Sequence, residues 1–159
     1  MQDLLPIAAR IGALLKERKE TVAVSESSAG GLISAALLAV PGASAYFQGG
    51  GIIYTRIAGK ALFDITREQI AGLRSSSEPY ALFMARTVRD KLGASWGLCE
   101  TGAAGPTGNR YGDASGHSCF AVVGPTEQSL TLETASEDRV ANMRAFAKGA
   151  LELLERHLK

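Results

Sequence analysis

The chain has 159 residues and a formal net charge of +1, and 46% of its residues are hydrophobic and 21% charged. This length suits one globular domain, so we predict a single domain over residues 1–159. Lysines and arginines are scattered along the chain, which argues against a nucleic-acid partner held mainly through phosphate contacts. No run of eighteen apolar residues occurs, so the sequence predicts no membrane span and no membrane partner.

Cysteine usage and the N-terminal segment predict a cytoplasmic protein. Cys99 and Cys119 lie in apolar, strand-like runs, which favours buried free thiols over the alternative of one disulfide. The first residues form an amphipathic pattern without the basic start or cleavage site of a signal peptide. His117 and His157 are far apart and no CxxC motif occurs, so we expect no metal.

In chain order, the first half of the sequence predicts two strands among helices. The elements are a helix over 2–18, a strand over 21–24, an apolar helix ending before Pro41, a strand over 46–54 and a short helix over 57–63.

The second half predicts three further helices and three strands. They are a helix from Thr66, a helix from Ser77 to Gly93, strands over 96–101 and 118–123, a strand around Leu130 and Leu132, and a last helix from Ser136. Thr66 and Gln69 fit a capping box, and Ser77 is a typical helix cap. The predicted core faces include Leu92 in the helix from Ser77 to Gly93 and Val140 in the last helix. The short connection before Leu130 predicts an antiparallel hairpin.

This order of elements predicts a three-layer α/β/α sandwich with a mixed, mainly parallel sheet of about five strands. In such sheets ligands bind beyond the carboxyl ends of the parallel strands. Those ends are residues 25–28, the region of Tyr54 and the segment from Thr101 onward, where polar residues and glycines collect.

The segment Ser25–Gly31 places three serines, a glutamate and two glycines between a core strand and a core helix. Simple helix capping is one interpretation, but capping needs only one of these residues. In a helix, Gly30 and Gly31 each destabilise by about 1 kcal/mol relative to alanine. Their presence therefore favours a second interpretation, in which glycines allow a ligand to approach the backbone closely. The segment lacks the G-x-S-x-G pattern of a nucleophile elbow.

Two further segments lie near the predicted site. Gly102, Gly105 and Gly108 are spaced G-x-x-G-x-x-G, which does not fit dinucleotide-binding or P-loop motifs. Their loop either cradles an anion through its N–H groups or is a flexible surface loop. Lys60 is a solvated surface charge unless folding brings it to the serine-rich turn, where burial would let it act as a base.

Five separated motifs together resemble the C-terminal domain of the CinA (competence/damage-inducible) family. They are SESSAGG at 25–31, VPGAS at 40–44, YTRIAGK at 54–60, SSSE at 75–78 and TGAAGP at 101–106. Members of this family include nicotinamide-nucleotide amidases. The resemblance implies an α/β/α domain, a homodimer or larger homo-oligomer, that hydrolyses the carboxamide of nicotinamide mononucleotide to nicotinic acid mononucleotide and ammonia. It implies a small-molecule nucleotide substrate and no cofactor.

The resemblance also implies site residues. Ser27 corresponds to the nucleophile, and Lys60 is the expected base. The substrate-binding residues are then Glu26, Ser28, Ala29, Gly30, Gly31, Tyr54, Thr101, Gly102, Ala104 and Gly105. Two positions depart from the family pattern: the family lysine aligns with Gly59, and Glu100 replaces a small or neutral residue. The alternative function is a non-catalytic nucleotide-binding or interaction module with the same fold.

Overall fold

The computed structural model describes all 159 residues as ten main elements. In chain order they are α1 Leu5–Arg18, β1 Val22–Glu26, α2 Leu32–Leu38, β2 Phe47–Ile52, α3 Arg56–Phe63, α4 Glu78–Leu92, β3 Trp96–Ala103, β4 His117–Val123, β5 Glu127–Glu133 and α5 Arg139–Leu158. A 3-10 turn over Ala43–Ala45 precedes β2. None of the helices combines the length and the apolar character needed to cross a membrane.

The five strands form one mixed sheet in the order β2-β1-β3-β4-β5. β1 pairs in parallel with β2 and with β3, whereas β3–β4 and β4–β5 are antiparallel. The predicted hairpin of the last two strands is therefore confirmed. Because β1, β2 and β3 run in the same direction, their carboxyl ends meet at one edge, which we call the carboxyl edge of the sheet.

Helices cover both faces of the sheet, which confirms the three-layer sandwich. α1, α2 and α5 bury one face, where Trp96 and Phe120 are each 1% exposed. α3 and α4 bury the other face, where Met84 packs with Cys99 and Cys119. Both cysteines are buried free thiols. A buried aromatic side chain removes roughly 150–250 Å² from water, so Trp96 and Phe120 contribute strongly to the packing of the first face.

The helix predicted from Thr66 does not form. Its capping box does form, because the Thr66 N–H donates to Gln69 Oε1 at 2.9 Å and the Gln69 N–H donates to Thr66 Oγ1 at 3.3 Å. The chain continues as turns, and Gly72 adopts a φ of +78°. Only Ile70 of this stretch packs against the core, so a cap without an apolar face does not sustain a helix.

The cap of α5 lies two residues later than the sequence predicts. Asp138, not Ser136, caps the helix, because its side chain accepts the Ala141 N–H at 3.0 Å. Val140 was predicted to lie in the core but is 64% exposed, since it falls on the solvent side of the first turn. Leu92 was also predicted to be buried, and it is 37% exposed at the end of α4.

A β-bulge interrupts β2. Val22 lies opposite Phe47 and Ala23 lies opposite Gly49, so Gln48 is an extra residue on the edge strand. The glycine run that follows packs tightly against β1. A Cβ atom at Gly50 would lie 2.5 Å from the carbonyl oxygen of Val24. The bulge and the close approach together explain why glycines occupy this edge strand.

We expect Gly50→Ala to lower the free energy of unfolding by about 1–3 kcal/mol, because its Cβ overlaps the backbone of β1. Urea denaturation measures the change. Gly59→Ala is the matched control, since a Cβ there would meet Ile53 and Ile65 at an ordinary 3.5 Å. Alanine also favours helix by about 1 kcal/mol over glycine, so the control should be neutral or stabilising. Equal destabilisation by both variants would contradict the packing described for β2.

Candidate functional site at the carboxyl edge of the sheet

The turn Ser27–Gly31 connects β1 to α2 at the carboxyl edge. All five residues of β1 are buried, and the polar side chains begin at its last two positions. Gly30 and Gly31 adopt left-handed φ values of +67° and +96°, which side-chain-bearing residues rarely adopt. A Cβ at Gly30 would also lie 2.8 Å from Met143 Cε of α5. The two glycines therefore serve the shape of the turn and its packing on α5.

Glu26 caps α2 from the end of β1. Its Oε1 accepts the Ile33 N–H at 2.8 Å. Its Oε2 accepts both the N–H of Ser34 at 3.0 Å and the hydroxyl of Ser34 at 2.6 Å. No serine of the turn caps this helix. Glu26 was predicted to bind substrate, and in the structure its carboxylate oxygens satisfy the first N–H groups of α2.

Glu100 on β3 binds the turn from the neighbouring strand and is 1% exposed. Its Oε2 accepts the N–H groups of Ser27 at 3.0 Å and Ala29 at 2.8 Å. Its Oε1 accepts the hydroxyl of Ser28 in a short hydrogen bond and the hydroxyl of Ser118 on β4 at 3.1 Å. This single side chain joins the turn to two strands of the sheet.

The environment of Glu100 disfavours its charged form. Burial raises the pKa of the carboxyl above its ordinary value, and the charge of Glu26 acts in the same direction. The hydrogen bonds from Ser28, Ala29 and Ser27 lower the pKa and offset part of this shift. Sequence reasoning noted Glu100 as a departure from the family but did not assign it to the site. The available signal was a glutamate inside an otherwise apolar strand.

Ser27 is the one hydroxyl of the turn that remains free. Its side chain is partly exposed, and its Oγ makes no hydrogen bond within the chain. Ser28 is buried with its hydroxyl held by Glu100. The N–H groups of Ser28 and Gly31 make no hydrogen bond within the chain either. A free hydroxyl thus lies in the same turn as two free N–H donors.

Arg139, in the first turn of α5, joins two segments predicted to bind substrate. Its Nη2 donates to the hydroxyl of Tyr54 at 3.3 Å, and its Nη1 donates to the carbonyl of Gly105. Asn142, one turn later, donates to the carbonyl of Ala104 at 2.9 Å. Sequence reasoning missed Arg139 and Asn142, because nothing in the sequence shows that the start of α5 meets the glycine-rich loop.

Thr101 and Gly102 lie at the end of β3, beside the same loop. The Thr101 hydroxyl accepts the N–H of Ser76 at 3.3 Å, which ties β3 to the segment before α4. Gly102 is required by packing, since a Cβ there would lie 2.4 Å from the carbonyl oxygen of His117. The structure therefore brings the predicted residues of β1, β3 and the glycine-rich loop to one edge of the sheet.

Lys60 makes no hydrogen bond with Ser27 in the structure. It is exposed on α3, whereas Gly59 is buried against Ile53 and Ile65. Neighbouring helix positions point about 100° apart, so residue 60 turns away when residue 59 faces the core. Lys60 lines a separate cavity of about 1000 Å³ between α3, the following loop and α4, and no residue of the serine-rich turn lines it.

His117 connects β4 to the segment before α4. Its Nδ1 lies 2.5 Å from Glu133 Oε1, and its Nε2 lies 2.8 Å from the carbonyl oxygen of Ser76. Asp113 Oδ2 is 3.8 Å from the same Nε2. Burial lowers the pKa of His117, but the contacts with Glu133, Ser76 and Asp113 outweigh it and raise the pKa above its ordinary 6.5. No group of three or more His, Cys, Asp or Glu side chains is placed to hold a metal ion.

These features define a class: an α/β/α domain with a serine-rich turn after its first strand and a glycine-rich loop after its third. The chain belongs to the CinA C-terminal domain family, whose model matches residues 4–158. CinA-like proteins of Desulfosudis oleivorans and Gloeothece citriformis are 37% and 34% identical to it, over 97% and 99% of this chain. The chain spans 38% of the length of each of these two relatives.

Solved structures show the same fold. The crystal structure of the competence/damage inducible protein CihA from Agrobacterium tumefaciens is 26% identical, with a TM-score of 0.88 over 98% of this chain and 95% of that one. A CinA superfamily protein from Klebsiella pneumoniae superposes with a TM-score of 0.89 at 22% identity, over 98% of this chain and 97% of that one. The latter likeness concerns the fold alone.

We expect the stability contributed by His117 to depend on pH. Because its pKa is raised in the folded state, protonated His117 stabilises the fold fully below about pH 6.5, and this contribution is lost as pH rises through the raised pKa. The free energy of unfolding of His117→Asn should therefore vary less between pH 6 and pH 9 than that of wild type. His157→Asn, which leaves these contacts intact, should follow wild type, and the same pH dependence in all three proteins would contradict the assignment.

Proposed function

We propose that this domain is an amidohydrolase that acts on the carboxamide of nicotinamide mononucleotide, with Ser27 as the nucleophile. The observation that carries the proposal is the free Ser27 hydroxyl beside the unoccupied N–H groups of Ser28 and Gly31. The other hydroxyl of the turn, that of Ser28, is bound to Glu100, and the carboxylate of Glu26 caps α2. Membership of the CinA family supports the choice of substrate.

The chemistry follows from these positions. The Ser27 Oγ attacks the carboxamide carbon while a base takes its proton, and free N–H groups of the turn stabilise the oxyanion. The tetrahedral intermediate expels ammonia, which leaves with the transferred proton. Water then hydrolyses the ester on Ser27 and releases the carboxylic acid. Ser27 is regenerated, so the net reaction consumes one water and requires no cofactor.

We assign Lys60 as the base on the resemblance to the family. Its ammonium makes no ion pair and no hydrogen bond within the chain, so no acidic partner holds it on α3. A lysine stem is long and flexible, and the neutral amine is the form that accepts a proton. The assignment requires the Lys60 side chain to leave the cavity on α3 and reach Ser27.

Arg139 and the glycine-rich loop are the proposed contacts for the rest of the nucleotide. Arg139 has no acidic partner, and its guanidinium already contacts Tyr54 and Gly105 at the carboxyl edge. A guanidinium with free donors suits a phosphate group. The backbone from Thr101 to Gly105 is the proposed contact for the ribose or phosphate.

The alternative is a non-catalytic nucleotide-binding or interaction module with the CinA C-terminal fold. A specific observation favours it: Lys60 lies in a cavity that contains no residue of the serine-rich turn. In this case nicotinamide mononucleotide binds without release of ammonia.

The homodimer or larger homo-oligomer and the cytoplasmic location stay predictions. The unpaired edge of β2, with Ile52 and Tyr54 49% and 60% exposed, supports self-association.

We expect Ser27→Ala to reduce ammonia release from nicotinamide mononucleotide by at least about a thousandfold, since the nucleophile is removed. Its melting temperature should stay within a few degrees of wild type, because the Ser27 hydroxyl makes no hydrogen bond. Ser28→Ala is the contrasting variant. It removes a buried hydroxyl bound to Glu100 and should lower the melting temperature more. Full turnover by Ser27→Ala would refute the nucleophile assignment.

Lys60→Met should remove most ammonia release while leaving the affinity for nicotinamide mononucleotide nearly unchanged, because it deletes only the proposed base. Coupled ammonia detection and calorimetric binding measure the two quantities. Lys16→Met on α1 is the control for loss of one surface charge. Unchanged turnover in Lys60→Met would assign the base to another group. Tight binding by wild type without any ammonia release would select the non-catalytic alternative.

A further inference from the structure

The site contains two buried carboxylates without a cationic partner. Glu26 and Glu100 are each 1% exposed. Neither takes part in any of the ion pairs of the protein. Buried charges in proteins are normally paired, because removing an ion from water is costly and hydrogen bonds compensate only part of that cost.

The fold explains Glu26 but does not explain the charge of Glu100. Glu26 satisfies the first N–H groups of α2, which is the ordinary task of a capping carboxylate. Glu100 lies inside β3, opposite Phe120 of β4, among residues that form a core strand. A neutral side chain of the same shape would accept the same N–H groups of the turn, so the hydrogen bonds alone do not require a carboxylate.

We propose that Glu100 is a specificity-determining residue, whose buried charge selects a nucleotide with a cationic pyridinium ring at the turn over one with a neutral ring. The inference rests on the proposed function. It differs from that function because hydrolysis of a carboxamide does not itself require a positively charged ring. A cationic ring bound at the turn then favours the charged form of Glu100, which burial without a cation disfavours.

A ring whose carboxamide is attacked by Ser27 would lie within electrostatic reach of Glu100. A carboxamide attacked by Ser27 lies about 3–3.5 Å from its Oγ, and the charged ring nitrogen is only a few bonds further away. The Ser27 N–H is itself 3.0 Å from Glu100 Oε2. Two opposite charges separated by roughly 10 Å at an effective dielectric constant near 20 change an affinity by about tenfold.

Two ligands that differ only in ring charge test the inference. Nicotinamide mononucleotide has a pyridinium ring, and its reduced form has a neutral dihydropyridine ring with the same carboxamide, ribose and phosphate. Dissociation constants of both are measured calorimetrically in the Ser27→Ala background, which stops hydrolysis during the titration, with the wild-type residues at positions 100 and 152, with Glu100→Gln and with Glu152→Gln. Glu152→Gln makes the same chemical change at a partly exposed position of α5, outside the site.

Wild type and Glu152→Gln should bind the oxidised form about tenfold more tightly than the reduced form. Glu100→Gln should bring this ratio close to one while retaining affinity for the reduced form, since glutamine keeps the shape and an acceptor for Ser27 and Ala29. A purely structural role would weaken both ligands equally in Glu100→Gln, and that result would overturn the proposal.

If Glu100→Gln does not fold, the ratio of the two wild-type affinities still tests the inference. A wild-type ratio near one, with measurable binding of both ligands, overturns the inference and leaves the proposed function intact. Binding of neither form by wild type overturns the proposed function, and the inference fails with it. The two failures are therefore distinguishable.

Discussion

The buried carboxylate of Glu100 is the contact on which the geometry of the site depends. Its four hydrogen bonds reach three residues of the turn after β1 and one residue of β4. Without them the turn would lose its links to β3 and β4 and would keep only the packing of buried Ala29 and its own backbone hydrogen bonds. Burying this carboxylate without a cationic partner costs folding free energy.

Glu26 and Glu100 accept different N–H groups at the turn and at the start of α2. Together they determine which hydrogen-bond donors remain free for a ligand. Glu26 satisfies the N–H groups at the start of α2, and Glu100 satisfies those of Ser27 and Ala29. The donors left over are the N–H groups of Ser28 and Gly31 and the hydroxyl of Ser27. A free hydroxyl and two free N–H donors are thus separated from the groups that keep the turn folded, and the proposed acyl transfer uses these free groups.

The sequence predicted the sheet, the hairpin and the caps at Ser77 and Gly93, because these follow from local periodicity and turn chemistry. The predictions were wrong or incomplete where long-range packing determines the structure. The capping box at Thr66 forms without a helix, since too few apolar side chains follow it. The contacts of Glu100 with the turn and of Arg139 with the glycine-rich loop join residues more than thirty positions apart. No local sequence pattern shows that these residues meet in the fold. The sequence therefore predicted which segments form the site, but not the contacts of Glu100 and Arg139.

The phase of α3 determines where Lys60, the proposed base, lies. Gln48 is an extra residue in β2, and α3 begins after the Thr55 cap in a phase that buries Gly59 and exposes Lys60. A rotation of α3 by one residue would bury Lys60 between Ile53 and Ile65, where an unpaired ammonium is costly. The burial of Gly59 and Phe63 on the core side of α3 therefore opposes movement of the helix as a whole. Any route of Lys60 to Ser27 has to use its flexible side chain, and the helix stays where the core holds it.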